Sequence, residues 1–432
     1  MTATGSEARA TEAQASPRPE VPIVPLKTDP RPAVPSRFRG DPQRTRRLAR
    51  PLFLAARDRS VDEGLVDEIG RRMMVRDEVG AALVAAMGRV PEDPERVTMR
   101  QLREALAAGG VDAGAPAALR EFFAAVTPDP GWLDRDLVER GARAYRRLGR
   151  SRDDALLILG LIGGYRFGGP TELLVATGAL SGEGAMRRLG ETQAWTHQVS
   201  RPGGLEPGGV GWASTLHVRV MHALVADRYE RPGRYDIAGH GLPINQADSA
   251  ATLGLFSGAA LLGCRALGRL VPREDSDAIM HLWRYVGWLM GVDEDWLFDS
   301  ERAQHHFNAH ILLAQGQVTP NGARLARPLV DGLREERTGG ARARLHGVWA
   351  RERVLSLARP MLGRQSLHDL GLPVRPPWLV PVEIVRNLVE TVVVVRVERG
   401  RRWLEERSDR RYEADFVLRL GDATHGPRDL PA

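Results

Sequence analysis

Leu216-His217-Val218-Arg219-Val220-Met221-His222-Ala223-Leu224-Val225-Ala226 has the apolar spacing of a buried helix, and one histidine lies on its greasy side. At 3.6 residues per turn, His222 shares its face with Val218, Arg219, Val225, Ala226 and Tyr229. Two uses of such an imidazole stay open from the pattern alone. The commoner is a hydrogen-bonded core residue; the other is a ligand to a metal, such as the iron of a haem.

Helical spacing continues on both sides of this stretch. Ser60-Val61-Asp62-Glu63 has capping-box spacing before an amphipathic run that reaches Met87, and Leu133 to Leu148 reads as a further helix. Ala155 to Gly163 is apolar all round, the mark of a buried helix. Ser214 or Thr215 can cap the histidine helix. Further helices are expected over Gln246 to Arg269, Ser276 to Met290, Asn321 to Arg337, Ala341 to Ala358 and Val382 to Arg402. The last contains Thr391-Val392-Val393-Val394-Val395, which has strand propensity but sits inside a helical pattern. Sustained period-two alternation is missing, so the fold class predicted is all-α, one large helical domain over 46–410. Residues 1–45 are poor in large apolar side chains and are expected to be disordered, and 411–432 to form a tail.

Composition narrows the chemistry. With 432 residues, 43% of them hydrophobic, the chain can bury a large core. The formal charge of +6 comes almost wholly from arginines, Lys27 being the only lysine, and these are interleaved with acids instead of gathered into a stripe. No nucleic-acid partner is therefore expected. The single cysteine, Cys264, rules out disulfides and cysteine-based zinc or iron–sulfur clusters, and its apolar setting reads as packing. No serine-hydrolase, P-loop or dinucleotide fingerprint is present. Near the start there is no export signal, and no apolar run of about 18 residues is read as a membrane span, which points to the cytoplasm. A rival metal site is His306 and His310, one turn apart, and Asp293, Glu294, Asp295 and Asp299 form an acidic loop without EF-hand spacing.

Several segments, in order, carry a resemblance. They are Gly169-Pro170-Thr171-Glu172-Leu173-Leu174-Val175-Ala176-Thr177, Arg187-Arg188-Leu189-Gly190-Glu191-Thr192, Pro202-Gly203-Gly204, Gly241-Leu242-Pro243-Ile244-Asn245-Gln246-Ala247-Asp248 and Tyr285 to Trp296. With the histidine helix they resemble the family of the bacterial latex clearing proteins (rubber oxygenases) and the MpaB-type oxygenases, over roughly residues 130 to 400. The resemblance implies a globin-related helical core holding haem b, and the oxidation or cleavage by dioxygen of C=C bonds in a hydrophobic, isoprenoid or polyketide-like substrate. By the same resemblance His222 is the axial iron ligand, Arg188 and Arg219 hold the cofactor, Glu172 is the distal base and Thr192 a distal pocket residue. Two positions depart from rubber-cleaving members: Glu191 stands where they carry a lysine, and Ala226 where they carry an arginine. The departures leave open a haem monooxygenase or peroxidase-like tailoring enzyme, and a non-catalytic helical haem-binding or scaffold protein.

Overall fold

In the computed structural model the described residues are 33–178, 183–335 and 340–420, and among them every regular element is helical. Residues 1–32, most of the N-terminal segment expected to be disordered, lie outside the described residues. Helix begins earlier than the sequence suggested, at Pro42, because Asp41 accepts a hydrogen bond from the Arg44 amide and proline suits the first helical position. At the other end a helix runs from Glu398 to Leu420, past residue 410.

Side-chain caps mark several of the helix starts. The Ser60–Glu63 reading is corrected here: Asp62 caps the helix Glu63–Arg72, and Ser60 bonds to Asp58 instead. A full capping box occurs at Thr98–Gln101. The run to Met87 is also two helices, since the chain breaks after Arg72 and resumes at Glu78. In that break Met73 and Val75 offer carbonyls to the amides of Leu242 and Gln246, so long-range bonds replace helical ones.

Two hydrophobic clusters divide the interior. The first gathers Phe122, Tyr145, Trp212, Leu216, Val220 and Trp283. In it Arg135–Arg147 lies against Arg273–Leu289 so closely that a Cβ on Gly141 would sit 2.2 Å from the Ala278 carbonyl oxygen. The second gathers Ile158, Ile162, Tyr165, Leu189, Leu325 and Leu329. Between them, the apolar runs Leu156–Ile162 and Leu255–Ala259 wind as π-helix and pack on each other. Of the first run only Ile158 and Ile162 are sealed, so burial all round holds in part. The second π segment interrupts Gln246–Ala266, a stretch long and apolar enough to cross a membrane, contrary to expectation; it is mostly buried in the core.

The valine run ends a helix. Leu379–Val392 stops there, a short 3-10 turn spans Val394–Arg396, and Glu398 opens the next helix. Five consecutive β-branched side chains crowd a helical turn, which is why the expected continuous helix to Arg402 breaks at this point.

Candidate functional site

The histidine helix is Val210–Glu230, and its rotation is fixed from two sides. On one, Leu216, Val220 and Ala223 enter the first cluster. There the Arg219 guanidinium grips Asp77 with both arms, at 2.6 and 2.7 Å, and donates to the Leu289 carbonyl at 3.2 Å. On the other side, Tyr229 donates its hydroxyl to the Ala176 carbonyl at 3.0 Å. Ser214 and Thr215 do not cap; the helix has already begun at Val210, and both hydroxyls bond back to the Gly211 carbonyl. Thr215 also accepts from the Trp195 indole.

His222 is half-buried and makes no hydrogen bond to any described residue. Burial first, and then the positive charge of Arg188, push its pKa down to about 4 against the opposing pull of Asp77. The ring is therefore neutral near pH 7 with its nitrogens unengaged. No acceptor that would fix its tautomer is found among the described residues, so packing orients the ring.

Arg188 and Thr192 stand one turn apart on the helix Glu183–Val199, which packs against the histidine helix. Arg188 forms no ion pair with a described residue, yet its charge reaches both His222 and Tyr165. The Thr192 hydroxyl makes no back-bond; it is Thr196 that donates to the Thr192 carbonyl, at 2.7 Å. Glu191, at the position of the lysine, pairs with Arg187 at 3.0 Å.

Glu172 lies in Gly168–Ala176, the helix whose last residue Tyr229 holds. Its Oε2 accepts a 2.6 Å hydrogen bond from Asn321 Nδ2, and Asn321 Oδ1 accepts from Arg324 at 3.0 Å. Asn321 opens the helix Pro320–Glu335, where a Cβ on Gly322 would lie 2.3 Å from the Tyr165 carbonyl oxygen. The Tyr165 and Thr171 hydroxyls nearby are buried without partners. Gly169, at the start of the helix that carries Glu172, is covered by the Arg37 guanidinium, 2.5 Å from where its Cβ would stand. Arg37 in turn binds Asp248 at 2.6 Å and the His240 carbonyl at 2.7 Å.

His222 thus hangs from the first cluster, while Arg188, Glu172 and Tyr165 come from elements packed into the second. The candidate site is the seam between them, where helical proteins usually keep ligand pockets. Chemically, an unengaged neutral imidazole can give a lone pair to a metal, and an unpaired guanidinium can take a carboxylate. The rival sites do not compete. His310 donates through Nδ1 to the His306 carbonyl and accepts the Asp62 amide at Nε2, so both nitrogens are used. Asp293 and Asp295 bind Arg72, and Glu294 takes the Trp132 indole. No cluster of potential metal ligands of three or more occurs among the described residues. Cys264 is buried packing, its thiol pushed up to about 12 by desolvation.

Residues 146–394 match the family described as ER-bound oxygenase mpaB/B'/Rubber oxygenase, catalytic domain. The chain belongs to the MpaB/Lcp rubber-oxygenase family. That membership places it among oxygenases, and hence oxidoreductases. It is 23% identical over 384 residues to the rubber oxygenase of Streptomyces sp. (strain K30), a match spanning 83% of this chain and 91% of that one. The structure of latex clearing protein LCP in the closed state superposes with a TM-score of 0.60 at 20% identity, over 86% of this chain and 94% of that one, which speaks to the fold alone. All five residues singled out in this MpaB/Lcp family member fall inside the matched segment. Asn321 and Arg324 do too, but no spacing rule connects Asn321 to a glutamate 149 residues away.

Proposed function

We propose that the protein is a haem b-dependent oxygenase that uses dioxygen to cleave or oxidise C=C bonds of a hydrophobic unsaturated substrate. The observation that carries this reading is His222: neutral, without a hydrogen bond among the described residues, and within reach of the charge of Arg188, which pairs with no acid among them. His222 would hold the iron through a ring nitrogen and Arg188 would meet a propionate. Arg219 is already committed to Asp77, and its contribution is to seat the helix that presents His222. When bound, the haem supplies the redox chemistry that activates dioxygen.

The chain's own groups handle binding and protons. Glu172 Oε1, the oxygen left free by Asn321, is the atom that takes a proton from the allylic position of the substrate. The Thr192 hydroxyl bonds to no described residue and would donate to the bound substrate. The rubber oxygenase among its relatives suggests an isoprenoid chain. Glu191, paired with Arg187 where rubber-cleaving members carry a lysine, favours a substrate other than polyisoprene, such as a shorter isoprenoid or a polyketide chain.

Absorption spectra of haem-supplied protein test this directly. A Soret band lost in His222→Ala is expected, with oxygen uptake on a panel of carotenoids, polyenes and isoprenoid chains. Well-folded, haem-supplied protein without that band would overturn the proposal. Product masses then separate chain cleavage from hydroxylation.

A further inference from the structure

The helix Leu379–Val392 is inside out. Its inward side carries charge: Glu383 is 2% exposed and bonded to Arg353, Glu390 is bonded to Arg269, and Asn387 donates to the Leu267 carbonyl at 2.7 Å. Its outward side is apolar. Val382 (57% exposed), Val385 (62%), Leu388, Val389 (52%), Val392 and Val393 (61%) fall within one stripe about 140° wide at helical spacing. An ordinary surface helix turns such a stripe to the core, and the buried ion pairs show that this helix is held the other way round.

The borders of the stripe carry aromatic rings and positive charge. Trp378 precedes it, 48% exposed. Past its C-terminal end stands Trp403, also exposed, stacked on Arg407, which bonds Glu390 on the same helix. Arg396, Arg399, Arg401 and Arg402 are exposed there with Glu398 as the sole acid of 396–402, and Glu398 is already shared by Arg401 and Arg402. Arg396 and Arg399 have no acidic partner among the described residues.

We infer that this face docks on an anionic lipid surface, the helix lying in the plane of the headgroups. Valines and a leucine enter the acyl boundary, the tryptophans sit at headgroup level, and the arginines meet phosphates. At 14 residues the helix is about 21 Å long, too short to span a bilayer and suited to lying along one. A second copy of the chain fits less well. The face would offer Arg396 and Arg399 of that copy only Glu398, which is already occupied. The inference does not depend on the cofactor.

Co-sedimentation of the full chain with vesicles of phosphatidylcholine alone, or with added phosphatidylglycerol, tests it. Binding to the anionic vesicles that weakens with salt is expected. Val385→Ser with Val389→Ser should lower it about tenfold or more, since each valine leaves an apolar contact, and Arg396→Gln with Arg399→Gln should lower it similarly while flattening the salt dependence. All four substituted side chains are exposed, so unchanged circular dichroism and melting are expected alongside. No binding to either vesicle would overturn the inference. So would a dimer by light scattering that the valine pair of substitutions dissolves, since the face would then belong to a second copy.

Discussion

Asn321 holds Glu172 by one oxygen, Nδ2 to Oε2 at 2.6 Å, and is itself held by Arg324. The pair joins two helices far apart in sequence and leaves Glu172 Oε1 uncommitted. Removing the amide should therefore cost turnover before it costs folding. Asn321→Ala is expected to retain the Soret band of the wild type and to lower kcat by about tenfold to a hundredfold, with KM little changed. Glu172→Gln should also retain haem and lose more activity. Steady-state oxygen uptake alongside spectra checks both, and an Asn321→Ala protein as fast as wild type would remove this positioning role.

Arg219 and Asp77 form a bidentate pair in which the arginine is 6% exposed. Arg219→Leu leaves the Asp77 carboxylate and the Leu289 carbonyl without their donor. A loss of about 2–4 kcal/mol is expected, seen as a lower denaturation midpoint with an unchanged slope. Asp77→Asn keeps one hydrogen bond and should cost less.

Arg353 is 2% exposed and neutralises Asp154 and Glu383, both buried. Arg353→Met should destabilise by about 3–5 kcal/mol, because buried Asp154 loses its ion-pair partner and Glu383 keeps only Arg386. Adding Asp154→Asn and Glu383→Gln should restore much of that loss. Thermal melts of the single and triple variants decide it.

His197 stacks on Tyr412 at 3.8 Å, and burial, followed by Arg152, Arg201 and Arg146, lowers its pKa to about 3; Asp153 opposes them, and Asp409 stands 3.9 Å away. The unfolded chain takes a proton at about 6.5 and the folded chain refuses it. Stability is thus fully present above pH 6.5 and declines as pH falls from there toward 3, by at most roughly 1.4 kcal/mol per unit from this group. Denaturation midpoints measured from pH 7 to 4 should fall more steeply in wild type than in His197→Phe, which keeps the stack but cannot titrate.

The helical class and the core helices were legible because apolar spacing reports burial directly. The family resemblance, carried by ordered segments, pointed to His222, Arg188, Thr192 and Glu172; the structure sets Arg188 and Thr192 on the helix packed against the histidine helix, and Tyr229 ties the helix of Glu172 to it. What stayed hidden depends on contacts made across the fold. The break after Arg72 exists because residues 242 and 246 take its carbonyls, and Asp41 starts a helix inside the stretch 1–45 that composition had assigned to disorder. Arg219 gave no sign that an aspartate 142 residues earlier would claim it. The helix with its valines outward reads from sequence like any amphipathic helix, since periodicity gives the stripe and not the direction it points.

Because His222 is carried by one apolar cluster while Arg188 and Glu172 are carried by the other, a molecule lodged between them touches both halves of the interior at once. Its occupancy would tie their melting into a single event, so thermal unfolding of the ligand-free chain should be broader than that of the filled one. A ligand bound there would then also brace the architecture, and substitutions that loosen either half would register as lost affinity at a distance.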